Sequence, residues 1–120
     1  NTALHIPAIA HDAGIDLPLD LFDSLAKKTP HIAAMLPGGK NYLEDLDYAG
    51  GIPAVLKRLR QKLNDNITVS GKNIYEIADK AEIFDEDVIR PLDRAHHAQG
   101  GIVVLKGNLA PGGSVVSRCA

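Results

Sequence analysis

Five apolar residues form the strongest helical pattern in the sequence: Ile52, Val55, Leu56, Leu59 and Leu63. Their offsets of 0, 3, 4, 7 and 11 place them on one face of a helix that Gly51 opens. Pro53 suits the first turn, and lysine, arginine and glutamine side chains occupy the other face. A helix with one apolar face needs a partner to bury that face. The rest of the chain must therefore supply a core around this segment.

Two helices are predicted before it. Residues 3–13 are apolar on most sides, which is typical of helices buried in larger proteins, and Gly14 is suited to end this helix. A second helix begins near Pro18, places its apolar residues on one face, and cannot extend beyond Pro30. The apolar run at 31–36 fits either a buried strand or a loop.

Two pairs of residues have the spacing of a reciprocal helix N-cap. Asn41 with Glu44 predicts a helix over 42–49, and Asn73 with Glu76 predicts one over 74–81. Residues 67–69 are a candidate short strand, and residues 82–90 are acidic and loop-like.

The character of the chain changes from Gly100 onward. The β-branched run at 102–105 predicts a strand, residues 108–113 predict a Pro/Gly loop, and residues 114–116 predict a second strand. The fold class is therefore mixed α/β, with a domain boundary near 92–100.

Composition excludes several classes of protein. The 120 residues are 45 % hydrophobic and 23 % charged, values typical of a folded domain rather than a disordered chain. A net charge of −2 argues against a nucleic-acid partner. The single cysteine, Cys119, excludes an internal disulfide or a cysteine-based metal site, and we expect a small residue in a strand there. No apolar run approaches 18 residues, so we expect neither a membrane span nor a membrane partner.

Several motifs resemble functional sites only in part. The stretch from Gly107 to Ser114 is spaced like a phosphate loop but has Gly113 where the lysine is needed, which favours a turn. None of the five histidines has the i, i+4 spacing of paired metal ligands on a helix, so packed or solvated histidines are expected. The cluster at 57–62 favours a solvated helix face.

Three charged residues remain as candidates for a site. Lys40 follows two glycines and could reach a substrate anion, and Glu44 with Asp45 supplies neighbouring carboxylates. Capping and solvation are the competing roles for both acids. The residues alone indicate no self-contained active site.

Three ordered stretches, residues 1–16, 39–57 and 100–116, resemble the dihydroxy-acid and phosphogluconate dehydratase family. The Gly-Asn-Leu-Ala-Pro run at 107–111 is the most specific and is closer to the dihydroxy-acid branch. The resemblance implies a hydro-lyase that converts a small 2,3-dihydroxy carboxylic acid to a 2-keto acid, as in branched-chain amino-acid biosynthesis. It also implies an iron–sulfur cluster, a magnesium ion, a cytoplasmic location and a homo-oligomeric parent enzyme.

The resemblance places no catalytic, cluster-binding or magnesium-binding residue of the family in this sequence. It implies that residues 1–91 are the C-terminal part of the N-terminal domain, 92–99 a linker, and 100–120 the start of a swivelling β-rich domain. The residues expected to contact the wall of the cleft are Asn1, Lys40, Glu44 and Asp45.

The first hypothesis is an internal fragment of a dihydroxy-acid dehydratase, inactive by itself. It is motivated by the three stretches and by ends that do not look like natural termini. The alternatives are a fragment of a sugar-acid dehydratase of the phosphogluconate type and a non-catalytic scaffold or binding module. A phosphate-binding module at 107–114 is a weaker third hypothesis.

Overall fold

The structure, a computed structural model, describes residues 1–117, in which five α-helices precede one β-hairpin. This mixed α/β content confirms the predicted fold class. Two short 3-10 helices, Arg60–Lys62 and Leu92–Arg94, lie between the main elements. The helices are α1 (Thr2–Asp12), α2 (Leu19–Lys28), α3 (Leu43–Tyr48), α4 (Gly51–Leu59) and α5 (Ile74–Lys80), and the strands are β1 (Ile102–Gly107) and β2 (Ala110–Ser117).

Most helix ends lie within two residues of the positions that the sequence predicts. Gly14 follows α1 with a φ of +73°, the left-handed conformation that commonly ends a helix. The cap predicted for α5 is confirmed, since the Asn73 N–H donates to Glu76 Oε2 over 2.9 Å. In α1 only Ala3 is buried by the described residues, and Leu4 and Ile9 stay 69 % exposed.

The core lies where α3 and α4 meet two extended segments. Its buried residues are Ile32, Ala49, Ala54, Val88 and Ile89. The Arg90 N–H donates to the Ile32 carbonyl over 2.9 Å, and the Phe84 N–H donates to the Ala49 carbonyl over 3.0 Å. These bonds satisfy backbone groups of the segment 83–95 and hold it against the helices.

The apolar stripe predicted for α4 is partly wrong. Ile52 is 62 % exposed, whereas Gly51 and Ala54 are buried. The neighbouring backbone comes close to the start of α4, so small residues form its contact face. Val55 and Leu59 pack against the core as predicted.

The charged face of α4 is more ordered than a solvated face. Arg58 keeps only 18 % of its side chain exposed and pairs with Glu86 over 2.6 Å. Lys57 Nζ donates to the Ala81 carbonyl over 2.6 Å, and Arg60 binds Asp79 with two hydrogen bonds. Lys57 and Arg58 thus bind the segment that follows α5, and Arg60 binds α5 itself. The prediction of a solvated face is corrected at Arg58, whereas Lys57 and Arg60 stay open to solvent.

The loop predicted at 108–113 is partly wrong. Residues Asn108 and Leu109 alone form the turn, and β2 begins at Ala110, so Pro111 and the two glycines after it lie in a strand. The antiparallel register pairs Ile102 with Ser117 and Val104 with Val115, and shifts between Leu105 and Gly107. Pro111 and the two glycines lie in this irregular stretch and have no register partner in β1, and such bulges tolerate proline and glycine.

The other short apolar runs form no regular strand. Residues 67–69 are a turn with one isolated bridge from Ile67 to Asn73, so the predicted strand is wrong. The segment 31–36 is a loop with isolated bridges from His31 to His97 and from Met35 to Asn41.

The hairpin packs on α2 through backbone and charged contacts. The Val104 N–H donates to Asp23 Oδ1 over 3.1 Å, and Lys106 Nζ lies 2.7 Å from Asp20. The Gly100 N–H donates to the Ala26 carbonyl over 2.7 Å. The helical part and the hairpin are therefore joined here, and the domain boundary at 92–99 stays a prediction.

We expect an Asp23→Asn variant to weaken the contact between the hairpin and α2. The free energy of unfolding of the variant should also depend less on pH in the acid range. The hydrogen bond from Lys27 and the backbone bond from Val104 lower the pKa of Asp23 below 3.8. Between the two pKa values of Asp23, the unfolded chain binds more protons than the folded chain. The stability that ionised Asp23 contributes is therefore complete above about pH 3.8 and is lost as the pH falls through the folded pKa. Hydrogen exchange at the Val104 amide should become several-fold faster in the variant. Unchanged exchange would contradict a role for Asp23 in docking β1.

Candidate functional site

An open groove of about 610 Å³ runs between α1 and β2, and Asn1 lies along it. Its other lining residues are Ala3, Leu4, Pro7, Leu17, Leu19, Gly113, Val115 and Ser117. Asn1 also starts α1, since its carbonyl accepts the N–H groups of Leu4 and His5. None of these side chains titrates near neutral pH. The groove can bind an apolar surface but offers no acid–base group.

A second groove, of about 460 Å³, lies beside α3 and contains Asp45. It is lined by Asn41, Asp45, Tyr48, Ala49, Phe84, Asp85 and Val88. Asp85 Oδ1 accepts the N–H groups of Asp87 and Val88 over 2.8 and 3.2 Å. This carboxylate therefore stabilises the turn that leads to the buried Val88.

The cap of α3 is formed by Asp45 and not by Glu44. The Tyr42 N–H donates to Asp45 Oδ2 over 2.7 Å, whereas Glu44 Oε1 accepts the hydroxyl of Tyr48 over 3.1 Å. The prediction of an Asn41–Glu44 pair is wrong because the Asn41 carbonyl accepts the Leu36 N–H and Asn41 forms a bridge with Met35. The helix consequently starts one residue later.

We expect an Asp45→Ala variant to lose about 1 kcal/mol of stability, because the start of α3 loses its carboxylate cap. The matched variant is Glu44→Ala, which removes only an exposed contact with Tyr48 and should change stability by less than about 0.5 kcal/mol. Urea unfolding of both variants measures the difference. A larger loss of stability in Glu44→Ala than in Asp45→Ala would show that Glu44 caps α3, as the sequence spacing predicts.

Three of the five histidines meet at the junction between the helical part and the hairpin. The His31 N–H donates to the His97 carbonyl over 2.9 Å, and the His96 N–H donates to the His31 carbonyl over 2.8 Å. The rings of His31 and His97 are nearly parallel and meet edge to edge, with 3.0 Å between their Nδ1 atoms and 5.3 Å between their centroids. The ring of His96 lies 5.4 Å from that of His31. We refer to His31, His96 and His97 as the histidine cluster.

The electrostatics of the histidine cluster are set by burial and by positive charge. Burial lowers the pKa of His96, and the nearby charges of Arg90, His31, His97 and Lys40 lower it further. His96 Nε2 is inaccessible to solvent and has no hydrogen-bond partner among the described residues. This ring is therefore held neutral at neutral pH.

The four residues predicted to contact a cleft do not form one constellation. Glu44 and Asp45 are neighbours at α3, Lys40 lies near the histidine cluster, and Asn1 lines the other groove. Sequence reasoning missed the histidine cluster because 66 positions separate His31 from His97. No local spacing signals such a contact.

The remaining motifs of the sequence form no functional site among the described residues. The phosphate-loop-like stretch is a hairpin turn and a strand, as the missing lysine favoured. Cys119 lies outside the described residues. Within residues 1–117 no three His, Cys, Asp or Glu side chains come together as a metal site. None of the helices in the same range combines the length and the apolarity needed to cross a bilayer.

Sequence comparison defines the class of protein. The sequence model described as "Dihydroxy-acid/6-phosphogluconate dehydratase N-terminal" matches residues 1–77. The corresponding C-terminal model matches residues 87–120. The chain belongs to the dihydroxy-acid/6-phosphogluconate dehydratase family, as the resemblance predicted.

Three similar proteins are named dihydroxy-acid dehydratase. A dihydroxy-acid dehydratase of Thermodesulfovibrio yellowstonii is 59 % identical over the whole chain. Those of Endomicrobium trichonymphae and Archaeoglobus fulgidus are 56 % and 48 % identical, again over the whole chain. The chain spans about 22 % of the length of each of these relatives.

Proposed function

We propose that this chain is part of a dihydroxy-acid dehydratase, a hydro-lyase that removes water from a 2,3-dihydroxy carboxylic acid to give a 2-keto acid. The observation that carries the proposal is the high identity, 59 % and 56 % over all 120 residues, to two proteins with that name. The pathway we propose is branched-chain amino-acid biosynthesis, with a cytoplasmic, homo-oligomeric parent enzyme and a small-molecule substrate.

The proposed cofactors are an iron–sulfur cluster and a magnesium ion. A coordinating metal supplies the stabilisation that a departing hydroxide needs, because hydroxide is a poor leaving group. Within residues 1–117 no group of three or more His, Cys, Asp or Glu side chains, the histidine cluster included, is arranged to hold a metal ion, so these residues do not fit as the holder of either group. We place both groups on other parts of the parent enzyme.

The role we propose for this chain is to join the helical part of the enzyme to the strands that follow. Asp23 and Asp20 hold β1 on α2, and the Arg90 and His96 backbones bind the segment at 31–32. These contacts connect residues far apart in sequence and are made mostly by backbone groups. A joint of this kind sets the relative position of the two parts without taking part in the chemistry.

The test is an assay of the parent protein, purified without oxygen and with its cluster reconstituted. We expect 2-keto acid from 2,3-dihydroxy-3-methylbutanoate and little or none from 6-phosphogluconate. The opposite preference would assign the protein to the phosphogluconate branch. No keto acid from either substrate, with the cluster shown to be loaded, would overturn the proposal.

A further inference from the structure

The rings of His31 and His97 share one hydrogen in a direct contact. His31 Nδ1 lies 3.0 Å from His97 Nδ1, so one of these nitrogens must donate and the other must accept. His31 Nε2 lies 3.0 Å from the Ala33 carbonyl oxygen, which can only accept, so this nitrogen carries a hydrogen. With both rings neutral, His31 Nδ1 is therefore the acceptor and His97 Nδ1 the donor.

This contact tolerates one added proton but not two. If one ring becomes charged, the other ring still has a neutral Nδ1 that accepts, and the hydrogen bond is kept. If both rings are charged, all four ring nitrogens carry hydrogens, and two N–H groups face each other across the 3.0 Å between the Nδ1 atoms. Two donors form no hydrogen bond, and two like charges repel. Protonation of both rings therefore breaks the contact.

The charges around the cluster do not offset this repulsion. Besides burial, which has the largest effect, the causes that lower the pKa of His96 are the positive charges of Arg90, the other two histidines and Lys40. The backbone of Arg90 is bonded to Ile32, next to His31, and Lys40 lies in the loop before α3. No carboxylate among residues 1–117 is among the groups that shift this pKa. An added proton thus finds positive charge beside it and no acid of the described residues that compensates.

His96 adds a second cost of protonation at the same place. Its Nε2 is inaccessible to solvent and has no partner among the described residues, so a charged ring would hold a buried N–H without an acceptor. Between the folded pKa of His96 and its ordinary value, the unfolded chain binds more protons than the folded chain. The stability that neutral His96 contributes is therefore complete above about pH 6.5 and is lost as the pH falls through the folded pKa.

The histidine contact acts on the segment that leads into the hairpin. The His31 N–H donates to the His97 carbonyl and the His96 N–H donates to the His31 carbonyl, so the rings and the backbone bridge hold the same two segments together. The hairpin has its own contact with α2, from the Val104 N–H to Asp23. That contact contains no histidine and does not depend on the bridge.

We propose that the His31–His97 pair is a pH-sensitive contact between the helical part and the segment that leads into the hairpin. At neutral pH the shared hydrogen keeps the contact intact. Below about pH 5.5, under the range in which an unperturbed histidine titrates, both rings are charged and the contact breaks. The hairpin stays on α2, so acid releases the connecting segment and leaves the parts on either side folded. The proposal is independent of the dehydratase activity.

The test is hydrogen exchange at single amides of the protein at about pH 7.5 and about pH 5.5, corrected for the intrinsic effect of pH. We expect the protection of the His31 and His96 amides to fall about tenfold at the lower pH. The amides of Val104 and Phe84, whose hydrogen bonds contain no histidine, should keep their protection. Equal protection of all four amides at both pH values would overturn the proposal, and so would a loss that extends to Phe84.

A His97→Gln variant tests whether the pair is the cause. Glutamine both donates and accepts, so it can pair with His31 in either protonation state, and the loss of protection should shrink to less than about twofold. The control is a double variant of α1, His5→Gln with His11→Gln, which lies outside the cluster and should keep the full loss. A full loss in His97→Gln, or its disappearance in the double variant, would overturn the proposal. His31→Gln is the second arm and should act as His97→Gln does. If it fails to fold, His97→Gln still decides, since the exposed His97 contributes its backbone to the bridge.

Discussion

A Gly50→Ala variant should lose about 3 kcal/mol of stability, through backbone strain and steric overlap together. Gly50 has a φ of +122°, a conformation that residues with a side chain rarely adopt. A Cβ at this position would overlap the carbonyl oxygen of Glu82 and lie 2.7 Å from Ala54 Cβ. Both neighbours belong to packed segments, so neither can move away freely. Urea unfolding with a constant m-value measures the loss.

The matched control for this variant is Gly14→Ala. Gly14 also has a positive φ, of +73°, but an added Cβ there meets nothing within 4 Å. The variant should therefore lose only the conformational cost, about 1 kcal/mol. Equal losses in the two variants would show that backbone strain alone acts at Gly50, and that α4 can move away from residue 82.

Helix ends that depend on nearby residues were the most predictable features of this fold. The ends of α1 and α5 depend on residues within one or two turns, such as Gly14 and the pair Asn73–Glu76, and these ends were predicted correctly. The predicted start of helix α3 was wrong by one residue because the backbone of Asn41 pairs with the preceding loop at Met35 and Leu36. A cap is a local signal only when nothing else competes for the same groups.

The hairpin and α4 differ in how well the sequence pattern predicts them. Pro111, Gly112 and Gly113 have low strand propensity, and they lie in the irregular part of β2, where they have no register partner in β1. The regular ladder resumes at Ser114, where the sequence predicts the second strand. Ile52 matches the helical stripe, yet it is exposed because the contact face of α4 is set by Gly51 and Ala54. Tertiary packing therefore overrides the local pattern in α4 but not in β2.

The candidate site was the least predictable part of the chain. Lys40, Glu44 and Asp45 were chosen by residue type, and the structure gives Asp45 a capping role and leaves Lys40 beside imidazoles. The histidine cluster depends on one backbone bridge between residues 31 and 97. Sequence spacing cannot reveal a contact that only the folded backbone creates.

An Ile89→Ala variant should destabilise the protein by about 3 kcal/mol, because it removes a large side chain from a closed part of the core. Ile89 is 0 % exposed and is the largest fully buried side chain among residues 1–117. Its segment is fixed on both sides, since the Ile89 N–H donates to the Asp85 carbonyl and the Arg90 N–H donates to Ile32. The cavity therefore cannot collapse easily. Urea unfolding measures the change.

The control for Ile89→Ala is Ile52→Ala. The sequence pattern and the structure predict different losses of stability for this control. The stripe of α4 predicts that Ile52 belongs to the core, whereas its 62 % exposure predicts a change of less than about 0.5 kcal/mol for Ile52→Ala. Alanine also favours the helix slightly over isoleucine, which would offset part of any loss. A loss at Ile52 as large as that at Ile89 would mean that another surface covers this face of α4 in the folded protein. A small loss would confirm that the core is formed by Ile32, Ala54 and Ile89. Ala54 faces this core from α4, and Ile52 lies on the opposite side of that helix.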